Sequence, residues 1–371
     1  MAQVTLVIFE GGPINSELEE KMHRVRRGIV LDLINKAGEA GFERIILATS
    51  YPEFGRRVAE LGVEVAVDNE SGEEPFHFGR HLWALVQRYG LEKVVYMGGA
   101  AAPLVSCGEL KYIREILAEN EKILVANNFY SADIVGFTPG SMLGEINLPA
   151  IDNTLALALS SDTGVRWLAL QRSLGLNFDM DTPADLLIMS VHPDIGPYTK
   201  EAVQELQWDF TRYDAIKALV GDPSGELVLY GRIGSNLFQY LDSHTRCRLR
   251  LFSEERGLKA LGRDRRGEVV SLLGRLAEEL GFRGFFEFLG EIAQGAVLDS
   301  RVLFEHFHWK LTPTERFASD LGDLGLIPHP GLREFTQAAL NAPIPILLGG
   351  HSLVTGGIWA LIDAGLKEKT T

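Results

Sequence analysis

Five short, apolar, β-rich runs separated by stretches of helical character fill the first 126 residues, and this alternation limits the possible folds more than any other feature of the chain. The runs are Val4–Phe9, Glu43–Ser50, Val63–Val67, Lys93–Met97 and Lys122–Ala126. Between them, Ser16–Glu39 places Leu18, Met22, Val25, Ile29 and Ile34 on one helical face, and Tyr51–Leu61 is a short helix started by Pro52. Pro75–Tyr89 and Gly108–Asn120 read as two more helices. Such alternation specifies an α/β fold: a mostly parallel sheet with helices on both faces. Ligands of open α/β sheets sit outside the carboxyl ends of the strands. The loops to watch are therefore Gly11-Gly12-Pro13 after the first run and Gly98–Pro103 after the fourth. The second loop is small enough for a ligand to reach the backbone, yet it offers no acid, base or nucleophile before Ser106.

The regularity stops after Asn127. Asn127–Leu148 is expected to be irregular or to hold an antiparallel piece, Ile151–Leu174 one or two helices, and Leu176–Leu186 a strand, a turn and a helix start. In that helix start Asp181 or Thr182 is the expected N-cap, with Pro183 at the first position and Asp185 in the first turn. A Pro/Gly-containing stretch at His192–Pro197 marks the expected boundary between domains 1–195 and 196–371, and Thr199–Val220 is mostly helical. The second domain restarts the pattern as a smaller α/β unit. Glu226–Tyr230, Cys247–Phe252, Ala296–Phe304 and Pro345–Leu348 read as strands, and Glu268–Leu280, Arg283–Ala293, Thr312–Leu321, Gly331–Leu340 and Gly356–Leu366 as helices.

Three strand ends of this half carry small or polar residues: Gly231–Ser235, Ser253–Gly257 and Gly349–Ser352. The first has the form Gly-x-x-Gly-Ser before a helix, where unsatisfied first-turn amides suit a phosphate or carboxylate, so Arg232 and Ser235 are candidate substrate-binding residues. The alternative is that the glycines only make tight turns. His351, flanked by Gly350, is the candidate histidine, although Gly350–Val354 does not complete the G-x-S-x-G pattern of a nucleophile elbow. Asp299 and Arg301, two apart on an expected strand, share a face and read as a structural ion pair or a site lining, and Glu254, Glu255 and Arg256 as the start of a helix. His306 and His308 share a face without a third ligand nearby, and His77 and His81 lack the glutamate of an H-E-x-x-H zinc motif.

Bulk properties narrow the partners. Fifty acidic against 36 basic residues give a formal charge of −14, which opposes nucleic acid and anionic membranes while leaving room for a local basic pocket. Two cysteines, Cys107 and Cys247, cannot build a disulfide framework and match no zinc spacing, so a reducing, cytoplasmic setting is expected. No apolar run approaches the ~20 residues that span a bilayer, and the N-terminal run reads as a first strand, not a signal peptide.

The stretch Phe178-Asp179-Met180-Asp181-Thr182-Pro183-Ala184-Asp185-Leu186 resembles the late acidic motif, ending in T-P-x-D-L, of the nucleotidyltransferase branch of the nucleotide-diphospho-sugar transferase (GT-A) superfamily. The nearest patterns are those of molybdenum-cofactor and phospholactate guanylyltransferases. The resemblance covers about residues 1–192. It implies a GT-A-like fold, a nucleoside triphosphate, sugar nucleotide or other phosphorylated small molecule as partner, and Mg as the cofactor, with Asp179 and Asp181 as part of its ligand shell. It also implies a phosphate-wrapping loop, for which this chain offers Gly11, Gly12 and the downstream Arg24, and a central-strand loop, here Gly98 and Gly99. Two departures stand out. Pro13 removes a donor from the first loop while Glu10 opposes a phosphate, and the second loop lacks the family's metal aspartate. Three readings follow: a nucleotidyltransferase-like protein, possible in a catalytically degenerate form; a non-catalytic nucleotide-sensing or partner-binding module; or an enzyme whose site lies in the C-terminal domain around Arg232, Ser235, Glu254, Arg256, Asp299 and His351.

Overall fold

The early alternation closes into a seven-stranded sheet. The computed structural model describes residues 3–67, 76–128, 131–206 and 208–368. In chain order the elements are β1 (Val4–Glu10), α1 (Glu17–Glu39), β2 (Arg44–Thr49), α2 (Pro52–Ala59), β3 (Glu64–Val67), α3 (Phe78–Tyr89), β4 (Lys93–Gly98), α4 (Cys107–Glu119), β5 (Ile123–Ala126), β6 (Ile134–Thr138), α5 (Leu155–Thr163), β7 (Trp167–Ala169) and α6 (Leu174–Asn177). The sheet runs β3-β2-β1-β4-β6-β5-β7. All neighbours pair parallel except β6, which is antiparallel to both β4 and β5. The expected antiparallel piece after Asn127 is this strand. Pro75, the expected start of the third helix, lies outside the described residues.

Side-chain alternation explains why helices cover both faces. Leu6 and Ile8 of β1 pack with Val30 and Ile34 of α1 and with Ile113 and Leu117 of α4, whereas Val7 points the other way, toward Leu82 and Val86 of α3 and Leu159 of α5. Central strands buried on both faces read as continuous apolar runs, and β1 and β4 do. Ile151–Leu174 departs from the expectation, since it holds one α-helix and then β7, whose Trp167–Ala169 pairs parallel with β5.

Further along come α7 (Pro183–Ser190), α8 (Pro197–Gln204), α9 (Thr211–Val220), β8 (Glu226–Gly231), α10 (Ser235–His244), β9 (Arg248–Ser253), α11 (Leu272–Ile292), β10 (Gly295–Asp299), α12 (Ser300–His306), α13 (Pro313–Leu321), α14 (Pro330–Leu340), β11 (Ile346–Gly349) and α15 (Gly356–Glu368). Their sheet is all parallel, in the order β11-β10-β8-β9. From β8 the chain moves one way to β9 and then returns to the other side for β10. The topological switch point therefore lies between β8 and β10, where open α/β sheets hold their ligands. Phe285, Phe286, Phe304 and Phe335 centre this sheet's core.

The contacts divide the chain into two compact units. One takes the residues up to Pro13, Val25–Asn177 and Gly196–Glu201; the other takes Ile14–Arg24, Phe178–Ile195 and the residues from Ala202 on. The acidic motif thus packs with the smaller sheet. Three local expectations need correcting. Phe178–Asp181 is extended chain and not a full strand, because α6 has only just ended and α7 starts at Pro183. The strand expected over Ala296–Phe304 stops at Asp299 and Ser300–His306 is helical, so Asp299 and Arg301 do not share a strand face. Glu254–Arg256 makes a turn, with Glu255 at φ 55°, where a helix start was expected. The two helices expected over Glu268–Ala293 are both present within α11, separated at Gly281 by φ 69° and ψ 160°. Among the described residues no helix is long and apolar enough to cross a membrane.

Candidate functional site

In the first unit the two glycine loops lie side by side. Phe9 pairs with Gly98 across β1 and β4, and the Gly99 N–H donates to the Phe9 carbonyl at 2.8 Å. Between the loops sits Glu10, 1% exposed. Its carboxylate accepts from Arg26 Nε at 3.1 Å and from Nη2 at 3.0 Å, a forked pair of charge-assisted hydrogen bonds. Gly99 is needed for this packing, since a Cβ there would stand 2.2 Å from Glu10 Oε2. The loop's own amide is engaged as well: Gly12 N–H donates to Ser50 Oγ at 3.1 Å, and Tyr51 O–H donates to the Gly12 carbonyl at 2.9 Å. Gly11, Gly12, Gly98 and Gly99 are therefore brought together, but around an internal carboxylate. Arg24 is not among them; it belongs to the second unit and pairs with Glu205. The acid beside Gly98 is Asp152, whose Oδ2 accepts from Tyr96 O–H at 2.7 Å, and burial with that carboxylate pushes the tyrosine pKa well up.

In the second unit the remaining candidates meet at the switch point. Arg232 follows β8 and Asp299 ends β10. Arg232 Nε donates to Asp299 Oδ2 at 2.6 Å and Nη2 to Oδ1 at 3.0 Å, and the carboxylate side chain is fully buried. Gly231, at φ 130°, makes the approach possible, because a Cβ there would fall 2.2 Å from Asp299 Cβ. Burial alone would raise the Asp299 pKa, and the Arg232 charge and hydrogen bonds outweigh it and hold the carboxyl low. Burial works against the charge of Arg232, but Asp299, and beyond it Asp181 and Asp179, stabilise that charge and raise its pKa.

His351 stands after β11, beside β10. Burial, and then the Arg232 charge, push its pKa down to about 4 against the pull of Asp299 and Asp181. It is therefore a neutral imidazole at pH 7. The acidic motif is docked on the same loop: Thr182 Oγ1 and Ser352 Oγ both donate to Asp185 Oδ2, and a Cβ on Gly350 would lie 3.0 Å from Thr182 Cγ2. Thr182 and Asp185 form the capping box of α7, so Thr182 and not Asp181 is the N-cap. Burial raises the Asp185 pKa to about 7 despite its hydrogen bonds. Phe178 and Met180 are buried while Asp179 is half-buried and Asp181 exposed, which leaves both carboxylates on the open side of the segment. Ser235 is exposed at the first position of α10, Gly234 caps that helix without a side-chain bond, and Arg256 Nη2 comes within 3.8 Å of the position a Gly234 Cβ would take.

Sequence reasoning singled out Asp299 but paired it wrongly. Its partner is Arg232, and Arg301 binds Asp320 instead, at 2.7 and 2.6 Å. It also missed the Glu10–Arg26 pair, Asp152 and the Asp185–Ser352 contact, none of which has a spacing signal. Among the described residues, the one grouping of three metal-capable side chains is His192, Asp194 and Asp363, with Lys367 Nζ 2.9 Å from Asp363. Asp179 and Asp181 are not part of it.

No family model matches the sequence, and no curated protein matches it. Similar solved structures exist. A Desulfovibrio desulfuricans protein described as a nucleotide-diphospho-sugar transferase is 14% identical, with 46% of this chain and 80% of that chain covered and a TM-score of 0.34. A nucleotidyl transferase from Methanothermobacter is 14% identical, with 47% and 90% covered and a TM-score of 0.35. A cytidylyltransferase from Leptospira borgpetersenii is 14% identical, with 55% and 95% covered and a TM-score of 0.39. Each of these likenesses spans about half of this chain and most of the other protein's.

Proposed function

We propose that this protein binds a nucleotide or another phosphorylated small molecule, with a divalent cation, at the carboxyl edge of the second unit's sheet. The observation that carries the reading is that Arg232, bonded to Asp299 at the β8/β10 switch point, also feels the charges of Asp179 and Asp181 and acts in turn on His351. Each part has a chemical task. The start of α10, which has no side-chain cap, with Ser235 and the exposed Arg256 beside it, suits phosphate oxygens. Asp179 and Asp181 project from one side of an extended segment and suit magnesium, which is commonly held by one or two carboxylates together with substrate phosphates. When bound, the ion neutralises phosphate charge. His351 adds a neutral donor or acceptor, and Arg232, fixed by Asp299, orients that loop cluster without carrying a free charge.

A transfer reaction in the first unit is the less favoured reading. There a phosphate would meet the buried Glu10 carboxylate, and residues 98–103 offer no carboxylate for a metal. Calorimetric titration of nucleoside triphosphates with Mg²⁺ tests the proposal. Binding should be weakened about tenfold by Asp181→Asn and by Arg256→Ala, the scale of a lost charge-assisted contact, and left unchanged by Ser50→Ala. Failure of every triphosphate and sugar nucleotide to bind, or full affinity in both variants, overturns it.

A further inference from the structure

A second pocket in the C-terminal unit lies outside this cluster. It has a volume of about 560 Å³ and is walled by Phe282, Phe307 and Trp309, with His306 and Glu278 also lining it. The rings stand 4.9 to 5.8 Å apart at steep and tilted angles. That size suits a small-molecule site, which is usually mostly apolar with a few placed polar groups.

Polar side chains at Arg275, Glu278, His306, His308 and Glu334 also line it, and of these His306 is the buried one. It is only 5% exposed, and its Nε2 has no hydrogen-bond partner. Nδ1 accepts from the Ser271 amide at 3.3 Å, so the ring proton is on Nε2 and is the one left over. Buried donors are rarely left unmatched, because an unmade hydrogen bond leaves the lost contact with water uncompensated. The side chain is deliberately accommodated: Gly274 is required beneath it, since a Cβ there would stand 2.1 Å from its ring. Across from Nε2, at 3.6 Å, lies Glu278 Oε1, too far for a hydrogen bond, while Oε2 of the same carboxylate is held by Arg275 at 2.6 Å.

We infer that this pocket binds a planar heterocycle with a lactam edge, a ring C=O beside a ring N–H. The carbonyl accepts from His306 Nε2–H, the adjacent N–H donates to Glu278 Oε1, and the flat ring packs against Phe307 and Trp309. Base-like rings gain substantially from such aromatic walls whatever their substituents.

Hypoxanthine is the probe. Titration calorimetry on the full chain should show binding that weakens about tenfold for the lactam N-methyl derivative and for Glu278→Gln, each of which removes one charge-assisted hydrogen bond. His306→Phe should abolish it. Because that variant changes a buried residue and can misfold, Glu278→Gln, altered at a partly exposed position, decides the matter alone. Asp181→Asn should leave hypoxanthine affinity unchanged, which separates this site from the phosphate site proposed above. Absence of hypoxanthine binding, equal binding of its N-methyl derivative, or unchanged affinity in Glu278→Gln overturns the inference.

Discussion

Asp185 shows how much depends on one buried carboxyl. It is fully buried, its pKa is about 7, and its Oδ1 has no partner. The carboxyl is an ordinary acid near 3.8 when the chain is unfolded. Between those values the folded state binds more protons, so its contribution to stability is present at low pH and declines as pH rises toward 7. A shift of this size corresponds to on the order of 4 kcal/mol. His351 acts in the opposite sense: its folded pKa of about 4 lies below its ordinary 6.5, so its contribution falls as pH drops through that window. Urea unfolding of Asp185→Asn at pH 5 and pH 8 should therefore show less loss of stability toward pH 8 than the parent shows. An unchanged pH slope would remove Asp185 as its source. Asp299→Asn, by contrast, should cost about 3–5 kcal/mol at neutral pH, because Arg232 is left buried without its counter-charge. A shift under 1 kcal/mol in the same assay would mean the pair behaves as a surface one.

Among the elements, α11 carries the clearest test. Replacing a helical glycine by alanine ordinarily stabilises a helix, but Gly281 has φ 69° and ψ 160°. Gly281→Ala should lower stability by about 1–2 kcal/mol, readable as a fall in melting temperature. A rise would show that the break is not required. The kink also explains what could be read in advance. Glu268–Leu280 and Arg283–Ala293 were legible as helical stretches because their apolar spacing is strong, and the glycine between them signalled only a boundary. Thr312-Pro313 and Thr182-Pro183 announced their helix starts, since capping is local chemistry written in adjacent residues. The end of β10 was not legible. Val297, Leu298, Val302 and Leu303 are all fully buried, so the apolar pattern continues unbroken from strand into helix. The site divided along the same line. Arg232, Ser235 and His351 were marked by glycines in their own loops, whereas the Asp299 partnership joins residues 67 apart in the chain and leaves no periodic trace.

For the whole molecule, the formal charge of −14 and the proposed magnesium-assisted phosphate site make different demands on anions. Compact phosphates with magnesium are expected to bind, while duplex DNA, which needs an extended positive surface, is not. Electrophoretic mobility shift at physiological salt should show no DNA complex at protein concentrations that saturate with nucleotide. A stable DNA complex would contradict both the charge argument and the placement of the site. The buried Glu10–Arg26 pair carries one more consequence. A loop built to admit and release a ligand opens readily, and its amide protons trade with solvent quickly. Here the Gly99 amide is bonded to Phe9 and roofed by the Glu10 carboxylate. Its deuterium uptake should be as slow as that of Val95 and Tyr96 in the adjoining strand, so that this glycine-rich stretch ages in heavy water like the interior of the sheet.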